Sequence, residues 1–139
     1  SESALQIYNR ETFPVKWAEI QNNLGIAYSY RIFGDKAENM AMAITCFQVA
    51  LEVVNKKEEF PDRWAIIQNN LANAYSYYIE GDRSENLERA ITCYQNALQV
   101  FTREDFPEKW AGVQNNLAVA YRDRIYGERA ENLEVATKR

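Results

Sequence analysis

Histidine does not occur in this chain, so the commonest general base near neutral pH and the commonest metal ligand are both missing. No glycine-rich phosphate loop, no nucleophile elbow and no Cys-x-x-Cys pair is present either. Adjacent acids such as Glu58-Glu59 fall in a polar connector and read as solvated charge. The expectation is a protein that is not an enzyme and holds no metal or cofactor. Basic clusters are lacking as well: the formal charge is -4 and the lysines and arginines form no block, which argues against a nucleic-acid surface. No run approaches the roughly 18 uninterrupted apolar residues of a membrane span, and no apolar segment with a cleavage-like end opens the chain. A folded, cytoplasmic protein that touches no membrane is the expectation. Cysteine is limited to Cys46 and Cys93, one per repeat as shown below. Stacked units would hold their backbones about 8 to 10 Å apart, beyond the roughly 7 Å that a disulfide spans, so two free, part-buried thiols are expected.

What is present is a pattern stated three times. Phe60-Pro61, Trp64-Ala65, Gln68-Asn69-Asn70-Leu71 and Ala74-Tyr75 have an earlier copy in Phe13-Pro14, Trp17-Ala18, Gln21-Asn22-Asn23-Leu24 and Ala27-Tyr28. The later copy is Phe106-Pro107, Trp110-Ala111, Gln114-Asn115-Asn116-Leu117 and Ala120-Tyr121. The tryptophans at 17, 64 and 110 set a period of 47 and then 46. A fixed period in this range marks a solenoid, one supersecondary unit stacked on copies of itself. With 47% hydrophobic residues in 139, burial of a continuous core is within reach.

The three prolines stand where a first helix should begin, because the fixed φ of proline suits that position and the residue before it is pushed out of the α region. Trp64, Ile67, Leu71, Ala74, Tyr75 and Ile79 advance by three or four, which predicts an amphipathic helix of about 20 residues. Gly34, Gly81 and Gly127 fit the left-handed position that closes a helix. Asp35-x-x-Glu38 and Asp82-x-x-Glu85 read as N-terminal capping signals for a second helix; the third copy has Glu128 there and should start less crisply. Met40, Ala43, Ile44, Phe47, Ala50, Leu51 and Val54 step by three and four, as do Leu87, Ala90, Ile91, Tyr94, Ala97, Leu98 and Phe101, so a second helix packs back on the first. The expectation is that 1–13 forms the tail of a truncated repeat, since Ala4-Leu5-Gln6-Ile7-Tyr8 matches the end of the other second helices, followed by repeats over 14–60 and 61–106 and a third, truncated one at 107–139, all within one solenoid segment of a longer array.

These residues also carry a family likeness. Leu24-Gly25-x-x-Tyr28, Ala43-x-x-x-Phe47-x-x-Ala50 and Pro61, then Leu71-Ala72-x-x-Tyr75, Ala90-x-x-x-Tyr94-x-x-Ala97 and Pro107, resemble the tetratricopeptide signature over nearly the whole chain. The unit is longer than the usual 34 residues, and the Asn-Asn-Leu-Ala run is similar to the long-period subfamily of kinesin light chains and of large bacterial signalling proteins. The resemblance implies an all-α, right-handed α-solenoid of antiparallel helical hairpins whose first helices line a concave surface.

At 100° per residue, Asn22, Ile26, Ser29 and Tyr30 point away from Leu24, as do Asn69, Asn73, Ser76 and Tyr77, then Asn115, Val119 and Arg122. In a groove of the implied kind, Asn22, Asn69 and Asn115 would form a ladder able to pair with the N–H and C=O groups of an extended peptide. Asn23, Asn70 and Asn116 lie nearer the core and should tie neighbouring helices together. Trp17, Trp64 and Trp110 share the stripe of the leucines and are expected in the inter-helix core. The expected partner is a protein segment, peptide or helix. The rival expectation is self-assembly as a homodimer or head-to-tail stack, because covering apolar faces at Ile7 and at Trp110, Leu117 and Tyr121 would yield on the order of 10 kcal/mol.

Overall fold

Each proline of the repeat starts a helix in the computed structural model, which describes Ala4 and residues 9–31, 33–55 and 57–137. These residues form five helices and no strand: α1 (Pro14–Ser29), α2 (Lys36–Val53), α3 (Pro61–Tyr77), α4 (Arg83–Leu98) and α5 (Pro107–Thr137). Phe13 and Phe60, at φ -131° and -138° and thus outside the helical region, offer no side-chain cap. Their carbonyls instead accept the first helical bonds, from the N–H groups of Trp17 and Trp64. The side-chain cap lies at the second helices. Asp35 accepts from the N–H groups of Ala37 and Glu38, and Asp82 from that of Glu85, satisfying donors that would otherwise lack partners.

The turns that reverse the chain are built alike. Gly34 and Gly81 adopt φ of +85° and +76°, a conformation other residues rarely enter. Behind them a buried asparagine braces the loop: Asn39 donates to the Phe33 carbonyl at 2.8 Å and Asn86 to the Glu80 carbonyl at 3.0 Å. In the second unit Arg83 adds a further clamp, donating to the carbonyls of Ser76 at 2.6 Å and Tyr78 at 3.3 Å, and α3 ends at Tyr77. This helix is therefore shorter than the periodicity predicts, and Ile79, placed on its stripe by sequence, is exposed in the turn.

The third unit departs from the expected hairpin. Gly127 is not left-handed, and α5 continues through it for 31 residues. An aspartate cap follows the glycine in the first two units; Glu128 takes that place in the third, and Glu128, Arg129 and Ala130 are good helix formers. Continuing the helix then costs less than breaking it. The apolar strip expected at Val135 and beyond, and the segment Leu5 to Tyr8, lie outside the residues whose side chains are described.

α1 packs against α2 and α3 against α4, while α2 meets α3 and α4 meets α5; narrower contacts join α1 to α3 and α3 to α5. The seam is continuous. Met40, Ala43, Ile44, Phe47, Ala50 and Val54 are buried, as are Leu87, Ala90, Ile91, Tyr94, Ala97 and Phe101, each set reproducing the expected stripe. Leu71 and Leu117 are buried and Leu24 half-buried. The tryptophans sit at the margin of the core. Trp64 packs against it, whereas half-buried Trp17 and Trp110 each carry a guanidinium over the ring, from Arg10 and Arg103. Two contacts recur with the period and bind unit to unit: Gln48 donates to the Tyr75 hydroxyl at 2.6 Å, and Gln95 to that of Tyr121 at 3.0 Å.

Both cysteines are free and buried. Burial pushes the Cys46 thiol up, raises Cys93 to about 12, and raises the neighbouring Tyr94 hydroxyl also to about 12. The folded chain thus holds protons that the unfolded chain releases. For Cys93 and Tyr94 stability should be fully present below the unfolded values, 9.0 and 10.0, and fall as pH rises through the folded values near 12, by at most about 1.4 kcal/mol per pH unit for each of these two groups. Urea midpoints between pH 8 and 11 measure this slope, and a Cys93→Ala/Tyr94→Phe double variant should flatten it.

Candidate functional site

The first helices present hollows on the flank away from the second helices. One lies between the C-terminal halves of α1 and α3, has a volume of about 530 Å³, and is walled by Ile26, Ser29, Tyr30, Asn73 and Tyr77 with Met40 and Phe47 as its apolar floor. A second, of about 380 Å³, lies between α3 and α5 around Ile66, Asn69, Phe101, Lys109 and Val113. Asn70 and Asn116 line both, so the two openings adjoin. A third, of about 390 Å³, is the counterpart of the second one unit earlier and includes Asn22, Val54 and Arg63.

Seven of the eleven residues singled out by sequence line these hollows: Asn22, Ile26, Ser29, Tyr30, Asn69, Asn73 and Tyr77. Tyr30 and Tyr77 are 81% and 68% exposed, which leaves two large rings available to a partner. The other four do not join them. Ser76 shares a hydrogen bond with the Tyr94 hydroxyl at 3.3 Å. Asn115, Val119 and Arg122 stand exposed on α5, Arg122 beside Asp123 at 3.5 Å.

The asparagines do not form three equal rungs. Asn22 Oδ1 accepts from Asn70 Nδ2 at 3.0 Å, so a residue expected to face outward is already engaged, and by one of those expected to join helices. One unit on, Asn116 should reach Asn69 in the same way. It donates instead to Asn73 Oδ1 at 3.2 Å, and that oxygen also accepts from the Tyr94 hydroxyl at 2.6 Å. The cause is a change of residue type: Ile26 and Phe47 of the first unit are replaced by Asn73 and Tyr94 in the second, which adds an acceptor and a donor where the first unit has neither. Asn69 Oδ1 is left buried without a partner. The third residue of the inner row, Asn23, is exposed.

No family model, curated protein or solved structure matches this chain. Its chemistry has to be read from the groove itself. Among the described residues no group of three or more acidic or cysteine side chains could hold a metal ion, and no helix is long and apolar enough to cross a membrane. The two adjoining hollows are lined by amide, hydroxyl, aromatic and aliphatic side chains with Lys36 in one and Lys109 in the other, whereas the third holds Lys16, Glu19 and Arg63. Sequence reasoning missed Asn70, Asn116, Lys36, Met40 and Phe47 as lining residues. The signal for Asn70 and Asn116 was present in the doubled asparagine of each repeat. That for Met40 and Phe47 was not, because their stripe reads as core alone.

Proposed function

We propose that the chain is a non-enzymatic interaction module of tetratricopeptide-like type, a right-handed solenoid of helical hairpins that receives a peptide or helix of another protein along the concave face of α1, α3 and α5. The observation that carries this reading is the pair of adjoining hollows flanked by exposed Tyr30 and Tyr77. Large aromatics at the rim of an amide-lined groove suit a mixed polar and apolar segment, the rings supplying area and the amides pairing with backbone groups. Peptides selected from a random displayed library serve as the probe. Chemical-shift changes in the protein should cluster at Ile26, Tyr30, Asn73 and Tyr77, and a Tyr30→Ala/Tyr77→Ala variant should bind at least about tenfold more weakly with unchanged helicity. Changes confined to the outer faces of α2 and α4 would reject the reading.

A second reading, self-assembly, is favoured by one observation. Past Tyr121, α5 exposes Ile125, Tyr126 and Leu133, and no other helix among the described residues covers them. Light scattering over a concentration range separates the two, since a strict monomer removes the rival.

A further inference from the structure

The third unit carries the parts of a hairpin turn and leaves them unused. In the second unit Gly81 is left-handed, Arg83 clamps the carbonyls of Ser76 and Tyr78, and Leu87 enters the core. One period on stand Gly127, Arg129 and Leu133. There α5 runs straight through the glycine, Arg129 is exposed, and Leu133 is 67% exposed where Leu87 is 3%. The seat for a second helix is open too. Gly25 of α1 and Ala72 of α3 are buried, and a Cβ on Gly25 would meet the Phe47 ring of the second helix. Ala118 holds the same place on α5 and is exposed, as is Ile125 two turns further on.

A second-helix segment and an empty seat for one thus lie on the same chain, and the straight run of α5 keeps them apart. Residues 128–137 lead away from 111–126 along one axis, so a copy with α5 straight cannot fill its own seat. A second copy can. We propose that two chains exchange these segments: α5 of each lies antiparallel to that of the other about a two-fold axis at Gly127, and 128–137 of one copy supplies the second helix that the third unit of its partner lacks. Leu133 stands six residues past Gly127 and Tyr121 six before it, the spacing of Leu87 and Tyr75 about Gly81, and those two are both buried. The two-fold axis brings Leu133 opposite the partner's Tyr121. Charge agrees with this pairing. Exposed Glu128 and Arg129 form no ion pair among the described residues, and the antiparallel arrangement sets each Arg129 within a turn of the partner's Glu128. About 20 residues of each α5 take part, roughly 30 Å of helix pair, which suits the low end of specific interfaces at about 1,200 Å² and a micromolar dimer. The inference rests on the self-assembly reading and adds to it the contact and its symmetry.

Sedimentation of the unaltered chain over a concentration range should show a dimer forming at micromolar concentration. Ala118→Arg obstructs the seat at an exposed position, so it should leave helicity unchanged and weaken the dimer at least about hundredfold; Leu133→Ala should weaken it about tenfold with the same helicity. Spin labels then read the symmetry. Attached to Glu108→Cys or to Glu134→Cys, with the unaltered chain and its buried thiols as the labelling control, they should give one inter-copy distance each, near 60 Å and near 20 Å, because two-fold antiparallel helices separate equivalent residues by about 3 Å for every residue from Gly127. A dimer that survives both substitutions, or that gives other distances, overturns the exchange and leaves self-assembly standing. A strict monomer up to millimolar concentration removes both and leaves the concave-face reading untouched.

Discussion

Replacing Phe47 by alanine is expected to destabilise the chain by about 3–5 kcal/mol, measured as a shift of the denaturant midpoint. The ring is 1% exposed and belongs to the core, where α2 packs against α1. Its neighbour across the interface is Gly25, and a Cβ placed on Gly25 would fall 2.6 Å from the Phe47 ring. The backbone of α1 is therefore already drawn against the ring, and the remaining walls are helices that cannot close further without dragging their neighbours. A cavity left by truncation stays open, which places this site at the costly end of the range. A domain of this size is stable by about 5–15 kcal/mol in total, so the loss would be visible in expression and in thermal midpoint. Phe47→Leu keeps most of the volume and should cost less than about 1.5 kcal/mol. Because Phe47 also lines the hollow beside Tyr30 and Tyr77, the leucine variant should retain that hollow. An alanine variant that costs under 1 kcal/mol would mean that α1 and α2 are not packed as described.

Much of this was legible in the chain, and the parts that were not share a cause. Helix starts followed from Pro14, Pro61 and Pro107, and caps from Asp35 and Asp82, since each acts on backbone groups within a few residues of itself. The second-helix stripe from Met40 to Val54 was readable because period alone decides which side chains share a face. Periodicity cannot say which neighbour an amide will choose. Asn22 and Asn69 are equivalent by sequence, yet one is paired and the other is orphaned, because Asn73 stands where the first unit has Ile26 and captures Asn116 from the next helix. The reach of Arg83 back to the carbonyls of Ser76 and Tyr78 likewise depends on where a long side chain lands, which a stripe does not show. Of the expected Asn ladder, Asn22 and Asn69 line hollows and Asn115 does not, and the period could not show which bonds they make.

The third glycine tests whether this local grammar is understood. Neither Gly81 nor Gly127 has any atom within 4 Å of where a Cβ would stand, so substitution at either site meets no steric obstacle and the backbone alone decides. Gly81 sits at φ +76°; Gly81→Val should cost about 1–3 kcal/mol, because a β-branched residue is forced into the left-handed region. Gly127 lies within the continuous helix α5, where glycine is inferior to alanine by about 0.5–1 kcal/mol. Gly127→Ala should therefore stabilise the chain by that amount, and the two substitutions together should span about 1.5–4 kcal/mol in opposite directions. Paired urea titrations with helicity followed by circular dichroism measure both. If Gly127→Ala destabilises the chain as Gly81→Val does, the third unit turns at Gly127 after all. The one-residue difference between Asp82 and Glu128 would then not be what keeps α5 straight.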